Sequence, residues 1–308
     1  MTDHPFDQAM TLSVVGEPSE GRFEGLPSAY YWNMVGPYGG ITAATVVKAL
    51  MQHPQRLGEP IALTVNYAAA LTLKPFALTA GPARTNRSTQ HWTMEMTQLD
   101  DQGQPTVVLT ATAVTAARRS TWRQIDHPMP QVPPPDQVEV ARRAKGVAWL
   151  DRYEMRAIDG GLPAVWDGSG EHSRSLLWMR DTPARALDFL SLTSFADLFI
   201  PRVWVRRATR VPVGTVSMTV YFHADAKVLA LLKPGIPVLL VANKLDNVHR
   251  RGDIAPWLGE MQERHAFTEF FPMSAKQPKD IERLLGVCEK YLPEQPWWHA
   301  EDELTDRS

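Results

Sequence analysis

From Ile61 to Ala116 apolar and polar residues alternate over four long runs, "IALTVNYAAAL", "PFALTAGPART", "HWTMEMTQL" and "TVVLTATAVTA". A two-residue period marks half-buried antiparallel strands, and "DDQGQP", Asp100 to Pro105, supplies the residues of a hairpin turn. Ahead of them, "GPYGGITAATVVKALMQH" sets small and apolar residues at helical spacing behind a glycine pair, which predicts a helix from near Gly40. A sheet of this kind buries its apolar face by wrapping around such a helix.

The meander ends at "DHPMPQVPPPDQ", whose proline rings deny hydrogen bonds to both helix and ladder, so a domain boundary is expected there. Beyond it "SRSLLWMR" reads as a strand, "ARALDFLSLTSFADLF" as an apolar helix and "GTVSMTVYFHAD" as another strand. The first motif is being repeated in element order, with little residue identity. After about Ala226 the pattern changes to that of a parallel α/β sheet: strand "IPVLLVANKLD", amphipathic helix "DIAPWLGEMQERH", strand "FTEFFPMSA" and helix "PKDIERLLGVCEKYL". The expected organisation is therefore a first repeat at 1–123, a linker at 124–145, a partial second repeat at 146–226, a partial α/β segment at 227–292 and an irregular tail at 293–308.

Composition narrows the function. The chain of 308 residues is 44% hydrophobic and 21% charged, ordinary for globular domains, and a net charge of -2 gives no basic footprint for nucleic acid. The single cysteine, Cys288, forms no internal disulfide and reads as a small core residue, which fits a reducing cytoplasm. The start "MTDHPFDQAM" lacks the pattern of a secretory signal, and no apolar run approaches the roughly 20 residues of a membrane helix. Neither a membrane association nor a metal site is expected, since the nine histidines are scattered rather than spaced as ligands.

One motif points to guanine. Asn243-Lys244-Leu245-Asp246 ends the strand "VLLVA", where an Asp carboxylate accepts two hydrogen bonds from the guanine edge, a pairing adenine cannot supply. Asn243 and Lys244 would brace and cover the base, while Ser274 and Ala275 of "SAK" follow the next strand, where a backbone amide meets the guanine oxygen. The alternative is a polar strand-end turn with no ligand. Hydrolysis needs a phosphate loop, and no G-x-x-x-x-G-K-[ST] occurs. "GEPSEGRF", from Gly16, has the glycine spacing but lacks the Lys and the hydroxyl, and the Asp-x-x-Gly stretches at Asp100 and Asp167 follow no suitable strand.

Residues 1–226 resemble the double hot-dog acyl-CoA thioesterases of the thioesterase II type. The carriers are "GPYGGITAATVVKAL", "LTVNYAAAL", "RTNRSTQHW", "SFADLFIP" around Asp197 and "GTVSMTVYFH" around Thr215. The resemblance implies an α+β fold of two hot-dog repeats, each a helix wrapped by an antiparallel sheet, and hydrolysis of acyl-CoA by water held between an Asp, a Thr or Ser, and a Gln. Asp197 matches the Asp position and Thr215 the hydroxyl position; the Gln has no counterpart. Asp197 would lie on a helix, and its alternative role is a surface carboxylate or cap. Gly39 and Gly40 are either an acyl- or CoA-binding helix start or simply an unhindered one. No cofactor is implied.

Residues 227–308 resemble the second half of the G domain of Era-type GTPases, through "VLLVANKLD" and "PMSAK", without phosphate loop, switch regions or KH domain. The junction near "HADAKVLALL" gives the chain the look of a chimaera, with the second hot-dog incomplete and catalysis correspondingly impaired. Open sheet edges on both truncated parts would favour homo-oligomers. The alternatives to a thioesterase are a guanine-nucleotide-binding or ribosome-associated module, and a fusion without function.

Overall fold

The computed structural model describes residues 4–119, 129–141, 146–161, 165, 167–209, 211–223, 239–242, 256, 258–259, 268–274 and 276–291. A one-turn helix α1 (Pro5–Ala9) and short strands β1 (Leu12–Val14) and β2 (Arg22–Gly25) precede the long helix α2 (Gly39–Gln52). The alternating runs then form β3 (Glu59–Tyr67), β4 (Phe76–Thr85), β5 (Thr89–Leu99) and β6 (Pro105–Ala116). Between β5 and β6 the Asp100 carboxylate accepts the amides of Gln102 and Gln104 at 2.9 and 2.8 Å, so this Asp closes a hairpin. "GEPSEGRF" runs through a turn at Pro18–Glu20 into β2 and not into a helix, the wrong geometry for a phosphate loop.

The strands alternate as their sequences require. Along β5 the buried side is Gln90, Trp92, Met94, Met96 and Gln98, while His91 faces out. Trp92 is core, and its Nε1 donates to Thr115 Oγ1 at 3.1 Å. The two glutamines close the ends of the core. Gln90 accepts from the Leu57 amide and donates to Gln55 O and Thr85 Oγ1, while Gln98 accepts from the Thr72 amide and donates to Thr72 O and Lys74 O. Each buried amide is satisfied, which removes the cost of placing it at a core position.

α2 is buried on both sides. Ala43, Val46, Val47, Ala49 and Leu50 pack with Leu63, Val65, Leu78, Met96 and Leu109 of the sheet. Tyr38, Ile41 and Ala44 pack with an aromatic cluster that contains Phe6, Tyr31, Tyr153 and Phe195. This explains why the helix is apolar almost all round rather than along one stripe.

After the linker come β7 (Tyr153–Asp159) and β8 (Leu176–Asp181), an antiparallel pair, then helices α3 (Phe189–Phe195) and α4 (Arg202–Arg206) and strand β9 (Ser217–Tyr221). The helix expected over "ARALDFLSLTSFADLF" is shorter than its apolar pattern. Asp188 caps it by accepting the Ser191 amide at 2.8 Å, which fixes the start, and the chain leaves the helix after Phe195. β9 pairs antiparallel with β3, from Ala62↔Tyr221 to Asn66↔Ser217, giving a seven-stranded sheet of order β1-β2-β4-β5-β6-β3-β9. A strand of the second repeat thus extends the sheet of the first. The fold is an α+β hot dog.

The chain divides into two compact units, Met1–Pro234 and Gly235–Ser308. In the second unit β10 (Leu239–Ala242) and β11 (Glu269–Pro272) are parallel neighbours, with Ala242 opposite Pro272, and helix α5 (Pro278–Glu289) follows. Cys288 on α5 is half-buried rather than a core residue, because this amphipathic helix buries none of its side chains fully.

Candidate functional site

The start of α2 is the meeting point of the two repeats. Its N-terminal residue Tyr38 supplies no side-chain cap, and the Asp197 carboxylate does so from the second repeat by accepting the Gly40 amide. The positive end of a helix favours a carboxylate there. Asp197 is not on the body of a helix, as its surroundings in sequence suggest. It sits on the turn directly after α3, its own amide bonded to Ser194 O at 3.2 Å. Thr215, two residues before β9, donates its hydroxyl hydrogen to Asp197 Oδ1 at 2.8 Å.

Both glycines stand at close approach, Gly40 to backbone and Gly39 to a side-chain end. A Cβ on Gly39 would lie 2.6 Å from Asp197 Oδ2, and one on Gly40 would lie 2.5 Å from the Ser194 carbonyl oxygen and against the Tyr38 hydroxyl. Either contact is too short for carbon, so these positions let the second repeat approach the helix. Four residues picked out in the sequence, Gly39, Gly40, Asp197 and Thr215, are therefore brought together. Three partners were not signalled by any local pattern. Tyr67 donates to Gly39 O at 2.8 Å, Tyr38 donates to Ser194 O, and Tyr153 meets Ser194 Oγ at 2.6 Å. Trp149 stacks on Tyr38 with ring centroids 4.4 Å apart.

Electrostatically the site holds a carboxylate under tension. Burial raises the Asp197 pKa above its ordinary value, while the hydrogen bonds from Thr215 and Gly40 pull it back down. Burial likewise raises Tyr38 and Tyr67, so both stay neutral hydrogen-bond donors. Thr215 itself is exposed, which leaves its oxygen lone pairs open to a water molecule. Beside the first turns of α2 runs a narrow cavity lined by Pro37, Ile41, Thr45, Leu71, Phe76 and Met96, apolar on most sides.

Comparison with known proteins gives the lineage. The acyl-CoA thioesterase N-terminal domain family matches residues 29–116, and the acyl-CoA thioesterase C-terminal domain family matches residues 126–231. The chain belongs to the acyl-CoA thioesterase family. A hot-dog protein of unknown function from Alicyclobacillus acidocaldarius is 45% identical, with a TM-score of 0.66 over 75% of this chain and 82% of that one. A proposed thioesterase II from Thermobifida fusca YX is 15% identical, covers 71% of this chain and 82% of its own, and shares the thioesterase fold at a TM-score of 0.60. GTPase Era of Lactobacillus delbrueckii subsp. bulgaricus is 42% identical over 97 residues, 29% of this chain and 32% of that protein. The chain spans about a third of the length of the GTPase Era relatives it matches.

The guanine-reading residues Asn243, Lys244, Asp246 and Ala275 lie outside the described residues. Ser274 is buried, and its amide donates to Asp280 Oδ2 at 2.9 Å. Because β10 and β11 are parallel, their C-terminal residues Ala242 and Pro272 lie at the same edge of the pair. Asp167, the other Asp-x-x-Gly candidate, accepts the Ser169 amide at 2.9 Å in a local turn. Among the described residues there is no group of three or more His, Cys, Asp or Glu able to hold a metal ion, and no helix is long and apolar enough to cross a membrane.

Proposed function

We propose that this chain hydrolyses acyl-CoA to a carboxylic acid and CoA, with Asp197 as general base and Thr215 as the group that orients the water. The hydrogen bond from Thr215 to Asp197 at the N-terminus of α2 carries this reading. Asp197 takes a proton from the water as its oxygen attacks the thioester carbon. The oxyanion that forms lies at the positive end of α2, whose first-turn amides, Gly39 among them, stabilise it. The tetrahedral intermediate collapses by breaking the C–S bond, and the proton held on Asp197 passes to the leaving thiolate.

The test is thiol release from a series of acyl-CoA thioesters. Asp197→Ala and Thr215→Ala are expected to lower kcat, the former by about 10²- to 10⁴-fold, the usual contribution of a general base. A folded wild-type chain that releases no CoA from short, medium or long acyl-CoA overturns the reading. The missing Gln partner predicts a low kcat in the wild type, because the water is held by two groups instead of three. Homo-oligomerisation through the sheet edge at β9 is part of the same proposal, since among the described residues β9 pairs only with β3.

A second reading applies to the Gly235–Ser308 unit and rests on its likeness to part of GTPase Era. In this reading Asp246 binds a guanine edge and the amide at Ala275 meets its oxygen, with no hydrolysis. Calorimetric titration with guanosine and adenosine tests it. Preference for guanosine that Asp246→Asn removes is the expected result, and equal binding of both nucleosides refutes it.

A further inference from the structure

The end of the sheet farthest from Thr215 is strongly basic, and the catalytic reading makes no use of it. At the β4–β5 turn, Asn86 N donates to Thr89 O at 2.8 Å and the Asn86 side chain accepts from Arg84 Nε at 3.2 Å, which holds the turn in one shape. Ser88 O accepts the Ala117 amide at 3.1 Å, and Ser88 Oγ accepts from Arg119 at 3.0 Å. Arg84, Arg87 and Arg119 are thereby gathered on one exposed corner, and among the described residues none of them has a carboxylate within 4 Å. Their neighbour Arg118 is different. It pairs with Glu59 at 3.4 Å and donates to the carbonyls of Pro60 and Phe222, so its charge is used to fasten β9 to β3.

From this corner a polar track leads back to the catalytic pair. On the outward face of the β3–β9 ladder, Thr64 and Thr219 hydroxyls meet at 3.0 Å and Ser217 donates to Asn66 at 3.0 Å, both exposed. The residues between face inward, and the outward row continues onto β6, where exposed Thr112 and Thr110 stand opposite Thr64 and Asn66. Tyr221, 66% exposed, stands at the basic end of the row, next to the Phe222 carbonyl that Arg118 holds. From Thr215 to Phe222 an extended chain covers roughly 24 Å.

We propose that Arg84, Arg87 and Arg119 bind the phosphates of the nucleotide end of acyl-CoA, with Tyr221 offering a face to its adenine and the hydroxyl row following its amide-bearing arm. The proposal rests on the thioesterase reading and deepens it, because the same molecule must reach Asp197 with its thioester while its phosphates are neutralised. Guanidinium groups bind phosphate through paired, charge-assisted hydrogen bonds, and an exposed aromatic ring stacks on a base.

The experiment compares the full chain with the Arg87→Glu/Arg119→Glu double variant, whose changes are on the exposed corner and touch neither Asp197 nor Thr215. Circular dichroism and thermal melting check that it folds. Binding of CoA, of 3′,5′-ADP and of inorganic phosphate is measured by calorimetry, and KM is measured with an acyl-CoA and with the matching acyl-N-acetylcysteamine thioester. The variant should weaken CoA and 3′,5′-ADP binding by about tenfold or more, the loss expected of one or two charge-assisted phosphate contacts. KM for acyl-CoA should rise by a similar factor while both kinetic constants for the cysteamine thioester stay unchanged. Unchanged CoA binding in the variant, or inorganic phosphate competing as well as 3′,5′-ADP, overturns the proposal. Should the wild type cleave no thioester yet bind CoA in a manner the double variant loses, the subsite stands and the thioesterase reading falls.

Discussion

At the residue scale the proposed catalytic pair is defined by a competition on one carboxylate. Burial disfavours the charge on Asp197, whereas the Thr215 hydroxyl and the Gly40 amide favour it. A base must be ionised, so activity should fall as pH drops through a pKa that lies above the ordinary carboxylate value. Thr215→Val removes one of the two favouring bonds and should move the acid limb of the kcat/KM profile to higher pH, in addition to lowering kcat. An acid limb that stays in place while kcat drops would mean that Thr215 does not act through Asp197. Of this site the sequence displayed Asp197 and Thr215 only through a family likeness, because residues 18 apart on a turn and a loop form no local pattern. Tyr38, Tyr67 and Ser194 were invisible for the same reason: each is an ordinary residue of a helix start, a strand or a helix until the second repeat docks.

At the element scale two short segments are held by buried polar groups. Arg185 binds Asp7 through both carboxylate oxygens, at 2.8 and 3.3 Å, and Asp188 at 2.7 Å, which ties α1 to the start of α3. Arg185 also crosses the Phe6 ring at 5.1 Å, so the arginine both packs and pairs. At the end of β8, Asp181 is 1% exposed; Ser191 donates to its Oδ2 at 2.8 Å, and its Oδ1 has no hydrogen-bond partner among the described residues. Burial raises its pKa from 3.8 to about 6. A folded-state pKa above the unfolded one means that the stabilisation is full below pH 3.8, is lost as pH rises toward 6, and is absent above. Thermal melting of Asp181→Asn, which carries no charge at any of these values, should gain on the wild type as pH rises from about 4 to 7, a differential of a few kcal/mol at most. A pH-independent difference between the two would show that Asp181 does not titrate in this range. The period-two runs announced the strands well, since alternation is a local property, but the lengths of α3 and β9 were overestimated where apolar residues continue past a cap or a ladder.

At the scale of the whole molecule, β9 leaves the second repeat to pair with β3, and the hairpin β7–β8 forms its own small sheet. A strand edge carrying exposed Val216 nearby (77%) invites a further strand. Sedimentation velocity across a concentration series should therefore show association through this edge, reduced by Val216→Lys, which places a charge beside it. A chain that stays monomeric at all concentrations refutes this part of the proposal. The likeness to GTPase Era covers about 29% of the chain, and a fused origin would be tested by whether the gene reads continuously through the codons for residues 220–235.

By itself the sequence determined the kinds of element and their order, because helix and strand periods, turn residues and proline runs act over a few neighbours. It also determined which residue types were available for the chemistry. Only the tertiary structure decided that the helix start at Gly39 and Gly40 is capped by Asp197 from the second repeat, and that Thr215 closes the pair. It also decided that β9 extends a sheet begun more than 150 residues earlier and that three arginines share one corner. Such contacts depend on the summed burial and hydrogen bonding of segments distant in the chain, and no window of the sequence contains both partners.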